Sequence, residues 1–380
     1  VRQVAILQHR LLHYRVELFE KLHQQCLGRG IDLHLVHGQP TRRELAKKDV
    51  GSIVWADVVS NSVWEVGERD WLWQPFPAHL RDADLVVVMQ ESRLLSNYPF
   101  LLSGLWSKRK LAYWGHGANF QSEAPGGLRE RWKKLLLTKV DWWFAYTQMT
   151  VDVVANAGYP PEQITCLNNA IDNENFKAHL AAVADDELAA LRWQLNLQAG
   201  APLGLFCGSL YPDKRVSFMV EAADQIRAAI PDFSMVVIGD GTSAEEVKTA
   251  SASRPWLHWV GVKKGREKAA YFRLASVTVN PGAVGLHVLD SFLAGVPMAT
   301  TSDAKHGPEV VYLVDGVNGL NVTGGVSEYA QAVIQLLSDT AYFERVRLAA
   351  MRSAAQYTLS NMVEKFVAGI ERCLSMPKKP

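Results

Sequence analysis

The sequence has no run of about 18 apolar residues, so nothing in it reads as a membrane-spanning helix. It has almost no net charge. Its 40 Lys and Arg against 39 Asp and Glu leave a formal +1, which argues against a chain built to wrap nucleic acid. It has few cysteines, and Cys26, Cys166, Cys207 and Cys373 show neither CxxC nor CxxC…HxxxH spacing. A structural zinc site and a disulfide framework are therefore not expected, and buried free thiols in a reducing, cytoplasmic compartment are. The opening Val1-Arg2-Gln3-Val4 lacks the pattern of a secretory leader and reads as the start of a first strand. A composition 48% apolar and 21% charged excludes intrinsic disorder. What stands in excess is tryptophan. Of 12, the nine at positions 55, 64, 71, 73, 106, 114, 132, 142 and 143 precede residue 150.

Short apolar runs alternate with helix-period stretches, the pattern of α/β domains with parallel sheets. Strands are expected at Val4–Gln8, Ile31–His37, Asp84–Met89, Lys110–Trp114 and Asp141–Tyr146. A helix with Val16, Phe19, Leu22 and Cys26 on one stripe follows the first, and others are expected at about Leu94–Trp106 and Leu128–Thr138. A second set of strands follows at Leu203–Cys207, Ser234–Ile238, Leu257–Val260, Val277–Asn280 and Met298–Thr301. Helices near Ser217–Ile230, Ala244–Ser253, Lys268–Leu274 and Leu286–Ala294 separate them. One core seldom grows past about 250–300 residues, so two doubly wound domains are expected. The turn-rich stretch Asn168–Asn175 is the expected linker. From residue 327 the pattern is helical to about Leu374, broken near Thr358–Asn361, with Ser360 or Asn361 as N-cap of the last helix.

Three strand–turn–helix corners carry candidate chemistry. In Asn280-Pro281-Gly282-Ala283-Val284-Gly285-Leu286, glycine permits close backbone approach to a ligand and the following amides suit an anion. Asp290, one turn on, either reaches sugar hydroxyls beside a phosphate or is a plain helix-start acid. In Gly208-Ser209-Leu210-Tyr211-Pro212-Asp213-Lys214-Arg215, two adjacent cations open a helix, against the macrodipole preference for acids. A bound polyanion resolves that conflict, and a solvated surface pair is the alternative. Gly239-Asp240-Gly241 follows a strand but does not continue as a dinucleotide fingerprint, and a ligand-free tight turn is its simplest reading.

Together these stretches resemble the family 4 retaining glycosyltransferases, group 1 type, of the GT-B fold. The resemblance covers about Ile164–Leu320 well and the N-terminal half loosely. Gly208, Leu210 and Lys214 match the family's Gly-Arg-Leu-x-x-x-Lys-Gly segment, and Gly239-Asp240-Gly241 its Gly-Asp-Gly. Gly285-Leu286, Asp290, Gly295 and Pro297 match its E-x7-E segment. Asn169-Ala170-Ile171-Asp172 resembles the hinge, and Gly261 the glycine before the base-binding loop. The family's arginine falls at Ser209, its first glutamate at Gly282, and the second is shortened to Asp290. A Gly-Gly phosphate loop near residue 10 is replaced by His9-Arg10-Leu11-Leu12-His13-Tyr14-Arg15. Glu309 lies in a segment similar to one after the family's last core strand, or is a helix-start acid.

The resemblance implies two Rossmann-like domains facing across a cleft: an acceptor domain at 1–170, a donor domain at 171–357, and a helix within 358–380 returning to the first. It implies retaining transfer of a sugar from a nucleoside-diphosphate sugar to a saccharide or lipid-linked saccharide, as in bacterial polysaccharide or glycoconjugate synthesis. The implied catalytic residues are His116, Lys214 and Asp290. The donor would meet Gly208, Ser209, Arg215, Gly239, Gly261, Val262, Gly282, Gly285 and Leu286. No cofactor is expected and no metal, because Lys214 and Arg215 supply the charge and no Asp-x-Asp ends a strand of the second domain. Arg10, Tyr14, Trp71 and Trp73 are acceptor candidates, the two tryptophans because they sit in a loop-like stretch. From Arg93 to Lys139, nine Lys or Arg face two Glu, so residues 105–139 are a candidate contact with anionic membrane at its inner face. A solvated basic face is an equal alternative there. A non-catalytic sugar-nucleotide or saccharide binder and a GT-B nucleotide-sugar epimerase are the rival functions.

Overall fold

The computed structural model describes residues 1–45, 49–67, 69–103, 107–117 and 136–377. The chain divides into two compact units, one of Val1–Asp172 with the stretch from Thr358 on, the other of Asn173–Tyr357.

The first unit holds β1 (Arg2–Gln8), β2 (Ile31–His37), β3 (Asp57–Val58), β4 (Ser62–Val66), β5 (Arg69–Trp73), β6 (Leu85–Met89), β7 (Lys110–Gly115), β8 (Trp142–Ala145) and β9 (Ile164–Cys166). Seven of these form a parallel sheet in the order β3-β2-β1-β6-β7-β8-β9. Its central strands carry apolar runs, Val4–Leu7 in β1, Leu85–Val88 in β6 and Leu111–Trp114 in β7, buried on both faces. Helix α1 (Val16–Gly28) buries Leu18, Phe19, Leu22 and Cys26. Helix α2 spans Asn97–Ser103, starting later than expected because the chain before it is tied to β5: Leu95 N–H donates to Leu72 O at 2.8 Å. Helix α3 is Gln148–Asn156. Most of the expected helix 128–138 and of the basic stretch 105–139, with Trp106 and Trp132, lies outside the described residues.

The expectation of a loop around Trp71 and Trp73 is corrected. Both belong to β5, which pairs antiparallel with β4. Trp64 stands opposite Trp71, and Trp73 is two residues on, so all three share one face while Leu72 turns into the core.

The second unit holds β10 (Leu203–Cys207), β11 (Ser234–Ile238), β12 (Leu257–Trp259), β13 (Val277–Val279), β14 (Met298–Thr301) and β15 (Gly319–Val322). They form a parallel sheet ordered β12-β11-β10-β13-β14-β15. In β11, Met235 and Val237 join one core cluster and Val236 and Ile238 the other, as strand alternation requires. The helices are α4 (Glu174–Ala182), α5 (Asp185–Gln194), α6 (Val216–Ala229), α7 (Ala244–Ala252), α8 (Gly265–Leu274), α9 (Val288–Ala294), α10 (Val326–Ser338) and α11 (Thr340–Gln356). Helix α4 takes in Glu174 and Asn175, the end of the expected linker.

Helix α12 (Leu359–Ser375) belongs to the first unit. Its N-cap is Thr358, whose Oγ1 accepts from Asn361 N–H at 3.1 Å, rather than Ser360 or Asn361. Phe366 stacks on Phe144 with centroids 4.3 Å apart and meets the Trp114 ring edge-on. The Lys110 ammonium donates to the last carbonyls, Cys373 O and Met376 O. No helix among the described residues is long and apolar enough to cross a membrane.

Candidate functional site

In an open parallel sheet, ligands meet the carboxyl ends of the strands where the order reverses. In the second unit that point lies between β10 and β13, whose ends deliver the two corners singled out in the sequence.

After β13, almost every peptide group of the Pro281–Val284 turn is spoken for. Thr301 Oγ1 donates to Pro281 O at 2.7 Å and Thr300 Oγ1 to Gly282 O at 3.3 Å. Asp213 O accepts from Ala283 N–H at 2.9 Å, and Gly307 N–H donates to Val284 O at 2.8 Å. The His306 ring accepts from Val284 N–H at Nδ1 (3.1 Å) and faces Thr301 O through Nε2 (2.6 Å). A backbone N–H can only donate and a carbonyl only accept, so this imidazole is neutral with its proton on Nε2. Burial also holds His306 below its ordinary pKa. Beyond this fixed turn the amides of Gly285, Leu286 and His287 donate to nothing among the described residues, and space beside Gly285 is open.

Gly282 has a steric reason to be glycine. A Cβ there would lie 2.2 Å from Asp213 O and 2.5 Å from Lys214 Cα. Side chains are excluded because the two corners press backbone to backbone. Gly239 and Gly241 are constrained alike: at φ of 146° and 150°, a Cβ would meet Gly208 O at 1.9 Å and Leu210 O at 2.1 Å.

Lys214 is 5% exposed, and its ammonium donates to Ala283 O. No carboxylate lies within ion-pair distance of it among the described residues. Burial pushes its pKa down to about 8, against the pull of Asp213. A cation so enclosed and so poorly compensated calls for an anion. Arg215, in left-handed conformation at φ 55°, already has one: its guanidinium grips Asp303 at 2.7 and 3.1 Å and donates to Thr301 Oγ1. Ser209 is exposed beside half-buried Gly208. Gly261 O accepts from Gly239 N–H at 2.9 Å, and Val262 is 58% exposed.

Asp290 is buried and accepts from Lys268 Nζ at 2.8 Å. Burial raises its pKa, with Lys268 opposing. Lys268 comes from α8, also lies over the Phe176 ring, and was not anticipated from the sequence, because only the fold brings residues 268 and 290 together. His287 Nε2 is buried without a partner, and burial followed by the charges of Lys214 and Lys268 keeps that imidazole neutral. Glu309 is buried, its carboxylate close to Gly307.

In the first unit, the His116 ring packs tilted against Tyr146, with centroids 4.2 Å apart. Its edge is open to solvent, yet desolvation of the ring and the nearby Arg15 charge push its pKa down to about 4. Arg15, which sequence reasoning passed over, is buried between the rings of Trp114, Tyr146 and Tyr14, with Nη1 unpartnered. Tyr14 is itself 36% exposed. Arg10 is not presented as expected. It is buried, paired with Asp49 and 3.6 Å from Glu44, inside a network that includes His9, Glu91 and Arg93. Trp71 is half-buried, whereas Trp73 and Trp64 are 41% and 50% exposed.

Residues 201–339 match the family model described as glycosyl transferases group 1. The D-inositol 3-phosphate glycosyltransferase of Thermobispora bispora is 26% identical over 233 residues, 56% of this chain and 52% of that protein. The chain thus spans about half the length of the curated relative it matches. Anabaena HepE, solved in complex with UDP, superposes with a TM-score of 0.69 at 14% identity over 98% of this chain and 100% of its own. HepE has also been solved with UDP-glucose. A glycosyltransferase from Rickettsia africae gives a TM-score of 0.69 at 13% identity over 98% and 99% of the two chains. The chain has the GT-B fold, and residues 201–339 of its second unit match the glycosyl transferases group 1 model.

Proposed function

We propose that the chain is a glycosyltransferase that takes a sugar from a nucleoside-diphosphate donor, UDP-linked as in HepE, and passes it to an acceptor hydroxyl. One observation carries this reading: a desolvated ammonium, Lys214, beside three adjacent amides with no acceptor of their own. The chemical problem in such a transfer is the negative charge that grows on the leaving diphosphate. Lys214 and the amides of Gly285, Leu286 and His287 answer that charge from fixed positions, which is electrostatic catalysis. The turn cannot yield as charge develops, because its other peptide groups are already bonded. No metal enters this reading, since Lys214 provides the cation. The anomeric configuration is retained by same-face attack, the leaving phosphate taking the acceptor proton, and no protein nucleophile is needed. Asp290, held by Lys268, bears on the donor from α9.

The acceptor belongs to the first unit. Its best-supported contact is the aromatic face of Trp64, Trp71 and Trp73, a stacking surface suited to a saccharide or lipid-linked saccharide. His116, neutral, accompanies the acceptor side. Peripheral contact with anionic lipid through 105–139, on the cytoplasmic face, completes the proposal.

Thermal unfolding in EDTA with UDP, GDP, dTDP, ADP and CMP tests it on wild type and Lys214→Ala. A ligand at 100 times its Kd adds about 2.7 kcal/mol, a shift of several degrees. One nucleoside diphosphate is expected to stabilise wild type and not the variant, and transfer from the matching sugar donor to fall at least ~100-fold in Lys214→Ala. No stabilisation by any of them at millimolar concentration would overturn the proposal.

A further inference from the structure

Three side chains at the open edge of the first sheet converge on one point. His34 stands on β2 and Asp57 on β3, and the register that pairs Asp57 with Val36 puts both side chains on one face. His79 comes from the single turn Ala78–Leu80 before β6. Asp57 Oδ2 lies 3.3 Å from His79 Nε2 and 3.7 Å from His34 Nδ1, and the three donor atoms all fall within 4.8 Å of one another. No Lys or Arg pairs with Asp57 among the described residues.

We propose that His34 Nδ1, Asp57 Oδ2 and His79 Nε2 bind a divalent transition ion of the zinc class, with water in the fourth position. Two imidazoles and one carboxylate form a borderline donor set that suits Zn²⁺ over Mg²⁺ or Ca²⁺. In a tetrahedral site with bonds of about 2.0–2.1 Å, neighbouring donors stand about 3.3 Å apart. The Asp57–His79 separation already has that value. The His34–Asp57 separation of 3.7 Å has a few tenths of an ångström to close, and the exposed His79 side chain has room to turn toward His34. The second shell is also in place. On the far side of its ring, His34 Nε2 lies 3.0 Å from Asp32 Oδ2, the carboxylate–histidine arrangement that fixes a metal-binding tautomer. Gln3 Nε2, 3.4 Å from the same nitrogen, is the weaker neighbour. The ion joins three elements otherwise remote in sequence. It fastens β3, only two residues long, to the edge of the sheet. The site is independent of sugar transfer.

The test strips the protein with chelator and titrates Zn²⁺ against a chromophoric competitor, with Co²⁺ absorption as a second readout. One Zn²⁺ per chain is expected at micromolar Kd or tighter, with the visible bands of tetrahedral Co²⁺. His79→Ala and Asp57→Asn should each weaken binding beyond detection, and Asp32→Asn by about 10–100-fold. All three should keep the wild-type response to nucleoside diphosphate, which shows that they fold. Failure to bind at 100 micromolar Zn²⁺, or full stoichiometry surviving in both His79→Ala and Asp57→Asn, would overturn the assignment without touching the sugar-transfer reading.

Discussion

Replacing Lys214 by methionine should make the protein more stable while removing its donor binding. The side chain is 5% exposed, and burial lowers its pKa from 10.5 to about 8. At about 1.4 kcal/mol per pH unit, that fall means the charged lysine costs the folded state about 3 kcal/mol at pH 7. Methionine fills similar volume without the charge. It gives up the hydrogen bond to Ala283 O, about 1 kcal/mol, although Asn280 Nδ2 remains 3.5 Å from that oxygen. The net gain is about 2 kcal/mol, or roughly 4–8 °C in Tm for a unit of this size. The sign with pH follows. Between the folded and unfolded pKa values the unfolded chain holds the extra proton, so wild-type stability climbs from about pH 8 to 10.5. The advantage of Lys214→Met should therefore shrink over that window and be full below it. Bound diphosphate compensates the buried charge, so wild-type affinity for UDP should decline above about pH 8. Urea melts at pH 7 and pH 10, with and without UDP, measure all of this. A Lys214→Met protein less stable than wild type at pH 7, or equally stabilised by UDP, would refute the reasoning.

Two further outcomes are expected. Gly282→Ala should cost about 1–3 kcal/mol or more and abolish UDP stabilisation, because the clashing atoms are backbone and the whole turn must move; a circular-dichroism melt decides it. Trp64→Ala and Trp73→Ala should leave Tm within about a degree, while raising acceptor KM about tenfold once an acceptor is known, with donor KM unchanged.

The central strands were legible because burial on both faces leaves an apolar run that no helix pattern imitates, as in Met235–Ile238. The β4–β5 hairpin was not. Its strands carry Glu65, Arg69 and Asp70 among the tryptophans, so alternation is masked by charge on both sides of Gly67. Strands β9 and β15 are three and four residues long, too short to announce themselves. In the site, Lys214 and the Gly285-Leu286 corner could be read locally, since a strand, a turn and a helix start lie within ten residues. Lys268 and His306 could not, because their partners stand 22 residues away. Gly282 is the most instructive case. Resemblance presents it as a missing glutamate, while the structure gives it a steric role that depends on a loop nearly 70 residues earlier. Arg10 fails for the opposite reason: a sequence cannot show that Asp49 and Glu44 already occupy it.

The position of α12 has a bearing on how the protein is made. The strands of the first unit precede the second unit in the chain, yet that unit lacks one wall until residues 359–375 have been synthesised. Until then Trp114 and Phe144 have no Phe366 to cover them, and Thr165 and Phe144 await Gly369, where a Cβ would come within 2.5 Å of the threonine hydroxyl. The unit interrupting the first is contiguous in sequence and needs no residue beyond Tyr357 to complete its fold. Vectorial synthesis therefore inverts the expected order: the unit whose strands emerge before the other's matures after it, and α12 is the latch that ends its wait.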